Sequence, residues 1–328
     1  MTTHQLPDGT IEINGNQHEM FSVLFAEDGK QVLSGGVEGV LQRWRVDDGN
    51  KVGEPIRTEG LPVLAAALSP DRKWIVCGLK PSRSANANFV GVWDAQTRER
   101  VLDVKGHTNA VPSVDVCSDS TKFATGSADN CAFIWNMTTG TRLVGPLRHG
   151  GLVVAVRFSP NGDRLATATA ENPPGVAKSI RIYSSNNGQL LLDIPEVRVG
   201  NYVSSPLAWS ADGRRLFAAS YSDSNSEVKR FDTASGSLLS KWSVPGGGYT
   251  TSIALSRNQK FIAVVAYKSL SFWDTSTHKQ IGTTIEHTST VWSIALSPNG
   301  DCVATAERNG KVTLHISPVS YLTPDVSN

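Results

Sequence analysis

The sequence predicts an all-β fold assembled from seven copies of one four-stranded antiparallel unit. Three observations predict it. The first is the stretch from Gly106-His107 to Trp135-Asn136, where three strand-like runs are split by turn residues and a fourth, Arg142-Leu143-Val144, follows Thr138-Thr139-Gly140. The second is recurrence. The residue closing the third strand falls at Trp44, Trp93, Trp135, Tyr183, Phe231, Trp273 and His315, in steps of 49, 42, 48, 48, 42 and 42 residues. The third is a turn on one plan before each of these anchors, as in Ser69-Pro70-Asp71, Ser159-Pro160-Asn161-Gly162 and Ser297-Pro298-Asn299-Gly300. One such sheet cannot bury both faces alone, so the copies must stack on one another.

The repeat resembles the WD-repeat family of β-propellers, whose units run about 40–45 residues with Gly-His early and Trp-Asp late. The pair stands at Trp93-Asp94 and Trp273-Asp274, and weakens to Phe231-Asp232 and Trp135-Asn136. The resemblance covers almost the whole chain and implies a seven-bladed propeller of four-stranded antiparallel blades. Three outer strands share a Gly-x-Pro-like kink: Val52-Gly53-Glu54-Pro55, Val144-Gly145-Pro146 and Ile281-Gly282-Thr283-Thr284. The kink is similar to that of propellers attached to fungal and bacterial nucleotide-switch receptors. No nucleotide-switch domain is expected within these residues.

The N-terminal run Thr10-Ile11-Glu12-Ile13 alternates like a short strand without a partner of its own. The seventh unit stops after its third strand, Val312 to Ile316, with Ser317-Pro318 where a turn and fourth strand belong. The N-terminal strand is therefore expected to complete that blade, closing the ring and removing two open sheet edges. One domain, 1–328, follows, with strands over about 10–318 and loose ends.

Blades two, four and five carry insertions between second and third strands. These are Lys80 to Asn88, Glu171-Asn172-Pro173-Pro174-Gly175, and Ser222 to Ser226. The resemblance implies that all three fall on one face of the ring. They are either functional loops or neutral drift.

Composition excludes several classes. A chain of 328 residues that is 39% hydrophobic has ample core for folding. A formal net charge of +1 supplies no basic field for nucleic acid or an anionic membrane. The first residues, Met1 to Pro7, contain no apolar signal region, and no apolar run nears the roughly 18–20 residues that span a bilayer. Cys77, Cys117, Cys131 and Cys302 are scattered, which predicts buried free thiols in a reducing compartment: the cytosol, with the nucleus open. There is no His-x-x-x-His or Cys-x-x-Cys spacing, so neither metal nor cofactor is expected. Gly246-Gly247-Gly248 lacks the Lys-Ser/Thr ending of a phosphate loop and is expected to be a connector.

Three groups of residues stand out. His107, Thr125, Asp129 and Trp135 could be taken for a nucleophile triad with a neighbour. In the resembled family, matching residues form a structural chain from Asp to His to Ser/Thr to the indole. Partial copies occur at His18, Ser34 and Trp44, with Glu38 in place of Asp, and at His287 and Thr305, with Asn309 in place of Asp. His149 holds the same place in unit four. The second group is implied by the family's geometry. It puts Phe21, Leu64, Pro112, Val154, Ser205, Thr251 and Trp292 at the channel mouth. Tyr249 and Tyr267 lie near in unit six, Arg308 is in the loop of unit seven, and Arg83 is in the insertion of unit two. Aromatic and Arg side chains dominate binding hot spots. Trp292 and Phe21 either bind a partner or plug the mouth. The third group is the loop set described above.

These features predict a non-enzymatic recognition module, monomeric by itself. It would bind a peptide or loop of a partner protein, and neither nucleic acid nor membrane. A glycan- or small-ligand-binding propeller is the alternative. A propeller hydrolase fits less well, because the mouth positions are mostly apolar or small.

Overall fold

The computed structural model describes residues 3–5, 10–13, 18–26, 28–80, 89–170, 179–200, 205–221, 225–246 and 251–318. The described strands form seven antiparallel sheets, the blades of a β-propeller. Blade three shows the plan. Ser113–Val116 is innermost, then Lys122–Gly126, Cys131–Asn136 and, outermost, Arg142–Arg148. In register, Phe123 faces Trp135 and Thr125 faces Phe133.

The sequence signature of each turn has a direct cause. In blades two, four, five, six and seven the serine that opens the first turn accepts the backbone N–H five residues on. Ser69 takes Trp74, Ser159 Arg164, Ser210 Arg215, Ser256 Phe261 and Ser297 Cys302, all at 2.9–3.0 Å. The Asp of Trp-Asp caps the turn after the third strand. Asp94 accepts the N–H groups of Gln96 and Thr97 at 2.8 and 2.7 Å, and Asp274 those of Ser276 and Thr277 at 2.9 and 2.7 Å. These are Asx turns, in which a short acidic side chain substitutes for a backbone acceptor. The kinked outer strands share a left-handed glycine, with φ of +60° at Gly53, +111° at Gly145 and +68° at Gly282.

Burial is concentrated between blades. Seven hydrophobic clusters occupy the seven blade-to-blade contacts, each drawing residues from two neighbours. The ring closes as expected. Ile11–Ile13 pairs antiparallel with Val312–Ile316, with Ile11 opposite Leu314 and Ile13 opposite Val312. Ile11 and Ile13 are buried with Met20, Val23 and Trp44 of blade one. One strand was not anticipated. Thr3–Gln5 pairs outside Ile11–Ile13 and makes this sheet five-stranded, so strand structure begins before residue 10.

The innermost strands leave one edge facing the channel, and their N–H groups need acceptors. Short side chains from neighbouring blades supply them. The N–H of Ala66 donates to Ser22 Oγ at 3.0 Å, Val23 to Ser293 Oγ at 3.3 Å and Val156 to Ser113 Oγ at 3.0 Å. Phe158 N–H donates to Asp115 Oδ2 at 2.7 Å, and Ser205 N–H to Ser252 Oγ at 3.0 Å.

Candidate functional site

The triad-like group of blade three is a closed chain. Asp129 Oδ2 lies 2.8 Å from His107 Nδ1, His107 Nε2 lies 2.7 Å from Thr125 Oγ1, and Trp135 Nε1 donates to Thr125 Oγ1 at 2.8 Å. Asp129 also accepts the N–H of Thr108 and of Cys131. Burial pushes the Asp129 acid up, but the His107 contact and these two amides overcome it and hold the acid below its ordinary 3.8. Thr125 is fully buried and its hydroxyl is held by two ring nitrogens, so it cannot meet a substrate. Gly106 is required because a Cβ there would lie 2.6 Å from the Trp135 ring.

The partial copies differ. In blade one Trp44 Nε1 donates to Ser34 Oγ at 2.7 Å, but His18 is exposed and contributes nothing to it, contrary to expectation. Glu38 in the Asp position does not bring the histidine in. In blade seven His287 Nδ1 meets Glu307 Oε1 at 3.1 Å, and Thr313 Oγ1 donates to the same oxygen at 3.0 Å. The acid comes from Glu307 at the end of the second strand, where sequence alignment pointed to Asn309. Thr305 bonds to the Thr313 carbonyl at 3.4 Å. In blade four His149 reaches Thr169 at 3.2 Å, and burial, with Arg181 nearby, pulls its pKa down to about 3.

At the channel mouth, Phe21, Leu64, Pro112 and Ser205 line a cavity of about 340 Å³ along the inner strands. Val154, expected beside them, is buried between blades. Phe21 and Trp292 meet across the blade one–seven junction, with ring centroids 6.3 Å apart. Trp292 is only 7% exposed. It therefore braces Phe21 from behind rather than offering its own face. Arg308 Nε donates to Glu19 Oε1 at 3.0 Å, bridging the same two blades from an exposed position. Tyr267 is 42% exposed in a left-handed turn with φ of +60°, and its carbonyl accepts the N–H of Val291 next to Trp292. The side chains of Tyr249, Thr251 and Arg83 lie outside the described residues, as do residues 81–88, 171–175 and 222–224 of the three insertions, while Ser226 already belongs to the third strand of blade five.

Below the mouth, Asp115 and Arg157 are the only charged residues among the described residues lining the cavity. Elsewhere the chemistry is sparse. Among the described residues no cluster of His, Cys, Asp or Glu could hold a metal ion, and no helix is long and apolar enough to cross a membrane. The cysteines are free thiols, and burial pushes Cys77 and Cys302 up to about 12, far from a reactive thiolate.

The geometry defines a seven-bladed β-propeller whose polar triads hold the scaffold together. The family model of the WD domain, G-beta repeat, matches residues 98–136 and 278–315. Each match starts at the end of one blade's third-strand turn and runs through its outer strand into three strands of the next. The sequence repeat is thus staggered against the blade. WD repeat-containing protein 1 of Mus musculus is 28% identical over 215 residues, 62% of this chain and 32% of that protein. Its counterpart in Gallus gallus is 26% identical over 232 residues, 69% of this chain and 36% of that protein. The match thus spans about a third of the relatives' length. The repeat, the blades and these matches together support a WD-repeat propeller, an architecture whose members generally act as protein-interaction scaffolds.

Proposed function

We propose that this propeller is a non-enzymatic recognition module that binds a peptide or loop of a partner protein on its channel-mouth face. One observation carries the reading. Phe21 sits at the cavity rim, braced by Trp292 and flanked by Arg308, so residues from opposite ends of the chain converge on one surface. An aromatic centre with a charged margin is the composition of a binding hot spot. Tyr267 extends the surface onto blade six. In this reading the chain works as a monomer in the cytoplasm. Its near-zero net charge supports a protein partner over nucleic acid or membrane, and its free thiols support a reducing compartment.

The test is selection of binders from a displayed peptide library, followed by titration against variants. Phe21→Ala and Arg308→Ala are expected to weaken selected peptides by at least tenfold, about 1.4 kcal/mol. Substitutions at Asn186 and Asn187, in a turn at the opposite end of the blades, should change nothing. Peptides that bind both mouth variants as tightly as the wild type would exclude this face.

A further inference from the structure

The channel beneath the mouth has an imbalance of donors over acceptors. Ser22, Ser113 and Ser293 line it, and each hydroxyl oxygen already accepts a backbone N–H from a neighbouring blade. An oxygen used in this way keeps its O–H free to donate. No protein acceptor takes these three hydrogens among the described residues. Ser205 repeats the arrangement, because its Oγ accepts from Arg157 Nη2. Among the described residues Arg157 donates only to neutral groups: Ser205 Oγ, the Val156 carbonyl at 2.9 Å and, more weakly, the Val114 carbonyl at 3.4 Å. A guanidinium has five N–H donors in a planar fork suited to a carboxylate, and no carboxylate of the described residues occupies the fork. The lining also holds the small apolar residues Ala66, Ala67 and Ala295.

We infer that the channel is a carboxylate-binding site, in which Arg157 and the hydroxyls of Ser22, Ser113, Ser205 and Ser293 receive the anion and these alanines receive its hydrocarbon stem. A cavity of about 340 Å³ has room for one such group, carried by a free small acid or by an acidic side chain of a partner. Asp115 is the one opposing charge among the described residues of the lining. Its Oδ2 is committed to the Phe158 amide, and burial pushes its acid above the ordinary value despite Arg157 nearby. Protonation of Asp115 removes this repulsion.

The site does not depend on the mouth being a docking surface. Arg308→Ala, which tests the mouth, leaves it intact.

Ligand-observed NMR titrations of the full chain test the inference with matched pairs. Glutarate is compared with glutaramide, and the capped peptide acetyl-Gly-Glu-Gly-amide with its Gln counterpart. At least one carboxylate is expected to bind about tenfold or more tighter than its amide. Arg157→Met, which keeps the stem and removes the donors, should abolish that preference. Ala295→Leu adds bulk to the cavity lining without removing a donor, and should weaken the same ligand even if Arg157→Met does not fold. Glutarate binding alone identifies a free acid as the source, and peptide binding alone a partner side chain. The inference is overturned if neither carboxylate binds, if the amides bind equally, or if Ala295→Leu leaves affinity unchanged.

Discussion

At the scale of single residues, the polar chain of blade three was legible in sequence because its four members recur at fixed spacing around one strand pair. His107→Ala leaves Thr125 and Asp129 without their shared partner. The expected cost is about 1–3 kcal/mol, with no loss of binding at the mouth, read by denaturant melts. The pH dependence has a definite sign. The Asp129 acid is depressed in the folded state, so its contribution is present above 3.8, its ordinary value, and is lost as pH falls through the lower folded value. Wild type should therefore lose more stability than His107→Ala on acidification below that point. Equal acid sensitivity would mean that the His107 contact does not hold the carboxylate. Trp292 shows what sequence could not settle. Alignment put it correctly beside Phe21, but its depth depends on how blades seven and one pack. Being buried, Trp292→Ala should cost about 3–5 kcal/mol, so a loss of partner binding in that variant would not by itself mark a contact. Glu307 was missed for a related reason. It lies two residues before the expected Asn309, and only the turn of the loop brings it under His287.

At the scale of the strand and the blade, the hairpins were easy to read because each turn announces itself with Ser, Pro, Asn, Asp or Gly. The stitching between blades was not. Serines near the start of the inner strands look like ordinary polar positions, and their role appears only when a neighbouring strand edge comes within 3.0–3.3 Å. Ser22→Ala removes the acceptor of the Ala66 N–H. The expected cost is about 1 kcal/mol. Hydrogen exchange should accelerate at the Ala66 amide while blade one's own ladder stays protected. Unchanged exchange at Ala66 would show that the stitch contributes nothing. The outermost strands carry a different feature. Val101, Leu143, Leu191 and Leu239, on blades two to five, are 43–51% exposed. The corresponding strand starts of blades one and six are Lys51-Val52 and Gln280-Ile281. This arc was invisible to periodicity, since alternation says which side chains share a face and not which face remains uncovered.

At the scale of the whole molecule, stability depends on the circle being complete, because each hydrophobic cluster is shared between two blades. The critical joint is the last one. Ile11 and Ile13 lie in the cluster joining blades seven and one, and Ile13 is 1% exposed. Burying an isoleucine side chain is worth about 1.5–3 kcal/mol, so the pair contributes a large part of a typical net stability of about 5–15 kcal/mol. Removing residues 1–15 takes away that pair and uncovers the edge of Val312–Ile316, which would then offer unpaired N–H and C=O groups to other chains. Removing residues 1–8 takes only Thr3–Gln5 and leaves Ile11–Ile13 to close the blade. The two truncations should therefore separate. The longer one is expected to melt markedly lower and to self-associate on size exclusion, while the shorter one stays close to the full chain in both. If the longer truncation keeps the melting temperature and elution of the full chain, the N-terminal strand is not what closes the ring. If the shorter truncation falls as far as the longer, the outer strand Thr3–Gln5 carries the closure, and the burial of Ile11 and Ile13 alone does not suffice.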